Sequence, residues 1–282
     1  MPRFSIVLPT TSDRAALATL AIASALRQTE QSFELLIVGD GLSASSVEQL
    51  RALVARDERL RLFTFPKHPS RGETYRHEVL AFAQGENVAY LLDRDLWLPD
   101  HLAVLGAALK RLDFAHTGML VVEPDGQLHL GISSRLELAR NRDALRAQRY
   151  CPIGMSSVGH RLASYRALPF GWRETPHRLK TDQYMWGQFL DQPWIRAGSV
   201  AQPTLFYFQR NGHPGWPTAQ RLTELAHYAE QVLGPDGGAG LRASVVAAQM
   251  RPKARALRAL RSWIRWRPAL RSRLALLRGW FR

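Results

Sequence analysis

The 282-residue sequence predicts an α/β protein with a mostly parallel sheet and flanking helices, followed by a basic helical tail. In roughly the first 112 residues, four short apolar runs alternate with four amphipathic segments, a pattern typical of repeated strand–helix units. The fourth run is continuously apolar, as expected for a parallel strand covered on both faces. Eleven of the net fourteen positive charges lie in residues 251–282, where no acid occurs.

The four strand–helix units follow one another along the chain. The predicted strands are 4–8, 33–38, 60–65 and 88–92, and the predicted helices begin near Asp13, near Ser45, at Glu73 and after Pro99. Ser12 is placed to cap the first helix, and Ser45 with Glu48 has capping-box spacing before the second. Ligands of such sheets bind at the carboxyl ends of strands. This rule selects three polar segments, namely 9–13, 40–41 and 93–95.

The regular alternation stops after the fourth helix. Two short apolar runs, 119–122 and 128–132, flank a turn sequence and predict a hairpin. The later predicted elements are a helix over 135–149, a strand over 156–160, a helix over 181–189, a strand over 204–208 and a helix over 217–233. Residues 234–240 are rich in glycine and predict a linker. We therefore expect one domain over 1–233, with halves 1–112 and 113–233, and a separate tail over 241–282.

Composition limits the cellular location. No run of 18 apolar residues occurs, so we expect no membrane-spanning helix, and the N-terminus lacks the cleavage region of a signal peptide. The single cysteine, Cys151, excludes an internal disulfide framework and fits a reducing compartment. These features predict the cytoplasm or the cytoplasmic face of the membrane.

Four sequence blocks stand out in order along the chain: Phe4–Thr10, Phe33–Gly41, Gly85–Asp100 and, more weakly, Thr181–Trp186. Together they resemble the family 2 glycosyltransferases that have the GT-A fold. The resemblance covers roughly residues 3–212. It implies a Rossmann-like sheet and an inverting enzyme of hexosyltransferase type, which moves a sugar from a nucleoside-diphosphate sugar to an acceptor hydroxyl. Residues 1–112 would bind the donor and residues 113–233 the acceptor.

The resemblance implies roles for the polar residues that follow the predicted strands. Asp40 would hold the donor nucleoside, although an Asp-Gly pair is also a common turn. Three neighbours would line the same pocket, namely Pro9, Thr10 and Thr11. Three arginines could face the donor phosphates, because a diphosphate leaving group needs compensating positive charge. These are Arg14, Arg71 and Arg76, and the alternative for each is a solvated surface side chain.

Asp93-Arg94-Asp95 resembles the family's D-x-D type of motif, whose carboxylates orient the sugar and bind a divalent ion. Mn²⁺ and Mg²⁺ prefer oxygen ligands, which paired acids supply. The departure is Arg94, which stands where many relatives have an acid. Three explanations remain open: Asp95 ligates the metal by a shift in register, metal binding is weak, or Arg94 itself supplies the positive charge.

The second half contributes candidates for catalysis and for acceptor binding. By resemblance, Asp182 is the general base that takes the proton of the acceptor hydroxyl; the alternative is an acid in the first turn of a helix. Trp186 and His160 are candidate acceptor contacts, and a core position is the alternative for Trp186. His213 is a candidate late contact to metal or phosphate, or else an exposed loop residue.

Within the tail, residues 253–282 predict two short basic amphipathic helices separated at Pro268. Such helices bind the surface of an anionic bilayer, which would place the protein at the inner face of the cell membrane. A helix packed on the body or on a partner is the first alternative. Nucleic acid is a second and less favoured one, because no recognition module accompanies the basic residues.

Three hypotheses for function follow. The first is a glycosyltransferase; if the tail binds the membrane, its acceptor would be a glycan or a lipid-linked sugar used in cell-surface polysaccharide synthesis. The second is a non-catalytic binding or scaffolding protein on a degenerate GT-A fold, which Arg94 motivates. The third and weakest is an α/β protein that binds nucleic acid through its basic tail.

Overall fold

The computed structural model describes residues 1–131, 134–147, 153–209 and 213–249. The chain divides into two compact units, Met1–Ala239 and Gly240–Arg282. The first unit holds the sheet and its helices, and in the second the described residues 240–249 are helical. The predicted membrane-binding segment 251–282 and Cys151 lie outside the described residues.

The first unit contains nine strands and eight α-helices among its described residues. The strands are β1 (Phe4–Thr11), β2 (Phe33–Asp40), β3 (Leu60–Phe65), β4 (Asn87–Tyr90), β5 (Leu96–Trp97), β6 (Phe114–Val122), β7 (Leu128–Leu130), β8 (Val158–Arg161) and β9 (Ala197–Phe208). The helices are α1 (Ala15–Leu26), α2 (Ala44–Val54), α3 (Glu73–Leu80), α4 (His101–Leu109), α5 (Ala139–Arg146), α6 (Leu162–Arg166), α7 (Thr181–Leu190) and α8 (Thr218–Leu233).

All nine strands belong to one sheet, in the order β3-β2-β1-β4-β8-β6-β9-β5, with β7 paired beside β6. The first four strands pair in parallel, which confirms the predicted alternation of strands and helices. The later strands pair in both directions: β8 runs antiparallel to β4 and β6, whereas β6 and β9 are parallel. The hairpin of β6 and β7 is also as predicted.

Two hydrophobic clusters cover the two faces of this sheet. Successive side chains of a strand point to opposite faces. In β1, Ile6 and Leu8 therefore pack into the cluster that includes α1, while Val7 packs into the other cluster with α3 and α7. Each fully buried aliphatic side chain stabilises the fold by about 1.5–3 kcal/mol. Burial of both faces fixes the register of the parallel strands, and hence the position along the sheet at which each strand ends.

Several local predictions need correction. Strand β1 continues to Thr11, so Ser12 caps no helix; its Oγ instead donates to the carbonyl of Gly41 at 2.6 Å and thus joins two strand ends. Helix α2 is capped by Ser43 rather than by Ser45, since the Ser43 Oγ accepts from the amide of Ser46 at 3.3 Å.

The predicted bounds also change in the second half. The helix expected over 135–149 is limited to Ala139–Arg146, and β9 begins at Ala197, well before the predicted start at Thr204. Helix α6 was not predicted. Among the described residues, no helix combines the length and the apolar character needed to cross a bilayer.

Candidate functional site

A cavity of about 470 Å³ opens at the carboxyl ends of the parallel strands β1, β2 and β4. We call it the first cavity. It brings together most of the site residues predicted from sequence: Pro9, Thr10, Thr11, Arg14, Asp40, Arg71, Arg76, Asp93, Arg94 and Asp182. They converge because parallel strands of matched register end at one edge of the sheet, where Thr11 of β1 pairs with Asp40 of β2.

Asp40 is the last residue of β2 and is buried. Its Oδ2 accepts from the ammonium of Lys67 at 2.5 Å, and its Oδ1 accepts from the backbone amide of His68 at 2.6 Å. Gly72 lies close by with a φ of 63°, and a Cβ there would stand 3.3 Å from Asp40 Oδ2. Each carboxylate oxygen can accept a further hydrogen bond, so the carboxylate can still receive a ligand donor.

Arg76 is a buried arginine of α3 that lines the first cavity. Its Nη2 donates to the carbonyl of Arg71 at 3.0 Å, and its guanidinium lies 5.0 Å from the ring centre of Trp172. Within the part of the chain that the structure describes, Nε and Nη1 meet no hydrogen-bond partner. Buried donors without partners are costly, and an anion in the cavity would satisfy them.

Burial lowers the pKa of the Arg76 guanidinium, and the nearby carboxylates of Glu73 and Asp182 act in the opposite direction. Arg71 is more exposed. Its Nη1 donates to Thr181 Oγ1 at 2.8 Å and to the carbonyl of Leu179 at 3.1 Å. Arg71 therefore ties the start of α3 to the start of α7, while Arg76 presents charge to the cavity.

Asp182 lies in the first turn of α7 and lines the first cavity. Burial raises the pKa of its carboxyl above the ordinary value, and the positive charges of Arg76 and Arg94 oppose that rise, as does a hydrogen bond from the backbone amide of Met155. A carboxylate with a raised pKa is a better proton acceptor than an ordinary aspartate. The arrangement is therefore suited to a general base.

Asp93 and Asp95 lie in different surroundings, although only Arg94 separates them in the sequence. Asp93 and Arg94 line the first cavity, where Asp93 Oδ1 lies 3.9 Å from Arg14 Nη1. Asp95 is fully buried; its carboxylate accepts from Ser156 Oγ at 2.5 Å and from the amide of Phe208 at 3.2 Å. Burial raises the pKa of Asp95 to about 6. Asp95 therefore holds β9 to the segment before β8.

The predicted pair of metal ligands, Asp93 and Asp95, does not fit a shared divalent ion. Asp93 faces the cavity, while both oxygens of Asp95 are engaged inside the protein. The third predicted ligand, His213, is absent from the lining of this cavity. Over the described ranges, no group of three or more His, Cys, Asp or Glu side chains is arranged to hold a metal ion.

Two predicted acceptor contacts lie in the core. Trp186 is fully buried against Tyr90 and Phe114, with ring centres 5.5 and 5.4 Å apart. His160 is fully buried too, with its Nε2 2.8 Å from the hydroxyl of Tyr90, and burial lowers its pKa to about 4. Neither side chain is therefore placed to contact an acceptor.

His213 lines a different space of about 350 Å³, which we call the second cavity. Its Nε2 lies 3.0 Å from Glu224 Oε1, and its ring stacks on that of Trp216. Arg14 and Arg94 line both cavities. The position of His213 beside Glu224 and Trp216 does not favour the predicted contact to metal or donor phosphate.

Comparison with known proteins identifies the family. The family model described as glycosyl transferase family 2 matches residues 5–168, which is more than half of the chain. The chain belongs to glycosyltransferase family 2. Its matched segment contains the ends of β1, β2 and β4, and so includes Asp40, Asp93 and Arg94.

Curated relatives of this family 2 chain match only part of it. A Haemophilus influenzae protein described as an uncharacterized glycosyltransferase is 30% identical over 122 residues, 43% of this chain and 46% of that protein. WcaA of Escherichia coli K12, a glycosyl transferase named for colanic acid biosynthesis, is 34% identical over 112 residues, 39% of each chain. The matches thus span less than half the length of these relatives.

Solved structures share the fold of this family 2 chain at low identity. Staphylococcus aureus TarS 1–349 in complex with UDP-GlcNAc superposes with a TM-score of 0.56 at 16% identity, over 81% of this chain and 65% of that one. The mannosyltransferase PcManGT of Pyrobaculum calidifontis, solved with GDP-Man and Mn²⁺, gives 0.53 at 15% identity, over 96% and 82%. These similarities confirm the GT-A type of α/β fold.

Several lining residues of the first cavity were not predicted as site residues, and Lys67 and Tyr207 are two of them. Lys67 follows the end of β3 and pairs with Asp40. The rule about strand ends, applied to β3 as well, would have found it. Tyr207 lies on β9, far along the chain, and no local pattern marks it as a site residue.

Proposed function

We propose that this chain transfers a sugar from a nucleoside-diphosphate sugar to an acceptor hydroxyl, with inversion at the anomeric carbon. The observation that carries the proposal is Arg76. It is a buried cation, with two donors unpartnered among the described residues, in the same cavity as Asp40 and Asp182. A diphosphate supplies the acceptors that this cation needs. Of the two carboxylates, Asp40 would bind the nucleoside and Asp182 would take the proton of the acceptor hydroxyl.

In this proposal the donor lies along the strand ends. Asp40 accepts hydrogen bonds from the base or the ribose, and Pro9, Thr10 and Thr11 form the adjoining wall. Thr10 Oγ1 is buried and, among the described residues, has no hydrogen-bond partner, so a donor-ligand group can use it. The diphosphate then faces the arginines, and the sugar faces Asp93 and Asp182.

The transfer itself is a single displacement. The acceptor oxygen attacks the anomeric carbon on the face opposite the diphosphate and forms the new glycosidic bond. The bond from that carbon to the phosphate oxygen breaks, and its electron pair leaves with the nucleoside diphosphate. Asp182 takes the acceptor's proton as the bond forms. Inversion follows because one attack replaces the leaving group from the opposite side.

The charge of the leaving diphosphate is compensated in our proposal by the guanidinium groups of Arg14, Arg76 and Arg94. Fixed positive charge that faces a developing anion stabilises the transition state. Because Asp93 and Asp95 do not converge, we derive no step through a metal ion. A requirement for Mn²⁺ or Mg²⁺ stays a prediction, which thermal unfolding with Mn²⁺ and with EDTA can test.

We extend the proposal to cell-surface glycan synthesis, with residues 1–112 binding the donor and 113–233 the acceptor. The relative WcaA is named for colanic acid biosynthesis, which supports a role in polysaccharide synthesis. The basic residues of 251–282 support a location at the cytoplasmic face of the membrane. The acceptor would then be a growing glycan or a lipid-linked sugar.

A panel of UDP-, GDP-, dTDP- and CDP-sugars tests the donor site by thermal unfolding, each with Mn²⁺ and with EDTA. A ligand present at 100 times its dissociation constant should stabilise the wild type by about 2.7 kcal/mol. We expect one nucleotide to do so and Asp40→Asn to abolish the shift. Asp143→Asn is the matched control, because this aspartate is 65% exposed on α5.

Each outcome of the panel has a distinct meaning. Failure of every nucleotide to stabilise the wild type would contradict the donor site. A shift that appears only with Mn²⁺ would contradict charge compensation by arginine alone. A shift without release of nucleoside diphosphate in the presence of any sugar acceptor would favour the non-catalytic alternative on a degenerate fold.

The membrane proposal is tested separately by flotation of the full-length protein with anionic vesicles. We expect co-flotation that is lost when residues 251–282 are deleted and when salt is raised. Full-length protein that stays at the bottom of the gradient would contradict it. Salt-sensitive binding of the same segment to DNA would favour the nucleic-acid alternative instead.

A further inference from the structure

The second cavity lies beside the first and shares Arg14 and Arg94 with it. It is bounded by the start of α1, by the β6–β7 hairpin and by α8, with Leu17, Val122 and Leu225 among its lining residues. Its volume of about 350 Å³ is near the lower end of the roughly 300–1,000 Å³ of small-molecule sites. The space therefore suits a small ring system rather than a long polymer.

An aromatic platform forms one side of the second cavity. The rings of His213 and Trp216 stack with their centres 3.4 Å apart and an angle of 5° between their planes. Trp216 remains 37% exposed. Glu224 holds the imidazole through a 3.0 Å contact, and Arg221 donates to the carbonyls of His213 and Trp216 at 2.6 and 3.3 Å. The platform is thus in place before a ligand arrives.

The charges around the second cavity balance once the donor is bound. Its lining contains three arginines and one acid, Glu224. Arg14 and Arg94 also line the first cavity, where the proposed diphosphate and Asp93 compensate them. Arg221 and Glu224 are left to the second cavity and are opposite in sign. A ligand there meets an apolar and aromatic surface with one cationic and one anionic side chain, beside the neutral polar groups of Gln209 and Thr218.

We propose that the second cavity binds a neutral sugar ring of the acceptor, an inference that rests on the proposed function. The C–H face of a pyranose packs on the indole of Trp216, since this face is apolar and flat. Its hydroxyls donate to the Glu224 carboxylate and accept from Arg221 Nη1, which neither of the two backbone bonds of Arg221 uses. The shared residues Arg14 and Arg94 place this ring next to the donor.

Binding of neutral methyl glycosides tests the proposal. Methyl glucoside, galactoside, mannoside and N-acetylglucosaminide are titrated into the full-length protein, and binding is followed by saturation-transfer NMR and calorimetry. We expect one of them to bind in the millimolar range, about −4 kcal/mol, independently of salt. Trp216→Ala and Glu224→Gln should each weaken that binding at least about tenfold, a loss of about 1.4 kcal/mol. Trp194→Ala should not, because Trp194 is 45% exposed and outside both linings.

Three results would overturn the proposal. Equal binding to wild type and Trp216→Ala, or no binding of any glycoside, contradicts the platform. Glucuronic acid that binds tenfold tighter than the neutral sugars, in a salt-sensitive manner, contradicts the assignment of a neutral ligand. Uridine or guanosine binding that is lost in Trp216→Ala, and not in Asp40→Asn, would assign the platform to the nucleobase instead.

Failure of the proposed function gives a different pattern from failure of this inference. If no nucleotide sugar stabilises the wild type while a glycoside binds through Trp216, the donor assignment is wrong and the sugar site stands. If a nucleotide sugar binds through Asp40 and no glycoside uses Trp216, the donor assignment stands and the sugar site is wrong. Asp40→Asn should lose the nucleotide and keep the glycoside.

Discussion

The two cavities differ in what positions their side chains. The first is built from strand ends, so the register of β1 with β2 and β4 sets the places of Asp40 and of Asp93. The second is built where α8 and a hairpin meet the start of α1, and the contacts that define it join residues distant in sequence. A site on a parallel sheet can therefore be read from local pattern, whereas one formed by helix packing cannot.

The largest expected effect concerns Asp182, the proposed general base in the first cavity. Asp182→Asn keeps the shape of the side chain and removes its ability to accept a proton, so sugar transfer should fall by about 10²–10⁴-fold. Nucleotide binding should persist. Asp191→Asn, at the other end of α7, is the control because that carboxylate is 57% exposed and pairs with Arg146. Transfer assays on both variants check this; a loss below tenfold in Asp182→Asn would remove Asp182 from the chemistry.

The free energy of unfolding should depend on pH through His160, which is fully buried. Burial holds the pKa of this histidine at about 4, below its ordinary value of 6.5, so the unfolded chain binds more protons between these two pH values. The contribution of His160 to the free energy of unfolding is therefore fully present above pH 6.5. It is lost as pH falls toward 4, by about 3 kcal/mol in total.

Urea unfolding at pH 4.5 and pH 7 measures this contribution. His160→Gln should reduce the loss of stability between the two pH values, because glutamine does not titrate. His227→Gln should leave the loss unchanged, since His227 is exposed on α8. An unchanged pH dependence in His160→Gln would mean that the histidine is accessible to protons in the folded state.

Arg94 offers a smaller test because it belongs to both cavities. Its positive charge opposes the raised pKa of Asp182. Arg94→Gln should therefore raise that pKa further and move the acidic limb of the pH–rate profile upward. The same variant should weaken donor binding without weakening the glycoside affinity of the second cavity, because it removes a positive charge that the two cavities share. A profile that stays in place would show that Arg94 does not act on Asp182.

The smallest effects come from two glycines in left-handed conformation, one beside each cavity. Gly72 has a φ of 63° and Gly215 a φ of 85°. Alanine at either position costs about 1–2 kcal/mol of backbone strain. A Cβ at Gly72 would lie 3.3 Å from Asp40 Oδ2, whereas one at Gly215 meets no described atom within 4 Å. Both variants should lose similar thermal stability, and only Gly72→Ala should lose nucleotide affinity. Equal nucleotide affinities in the two variants would contradict the closeness of Gly72 to the donor.

Much of the lining of the first cavity was predictable. An apolar run in the sequence shows where a strand ends, and hence which residues lie at that edge of the sheet. Asp40 and Asp93 were found in this way. The direction of Asp95 was not, since its burial depends on Ser156 and on the amide of Phe208, both distant in sequence. The burial of Trp186 was missed for a similar reason, because helical spacing alone does not say which face of α7 meets the sheet. Position along a strand is a local property, but the surroundings of a side chain are not.

The sharing of Arg14 and Arg94 has a consequence for the order of events in a catalytic cycle. Two sites that use the same cations are coupled, and the coupling free energy is reciprocal. A diphosphate that neutralises these arginines makes the neighbouring space electrically balanced, so we expect the neutral acceptor to bind tighter after the donor. Departure of the diphosphate removes this compensation and loosens the product. Steady-state kinetics should then show compulsory order, with the nucleotide sugar first on and the nucleoside diphosphate released before the glycosylated product.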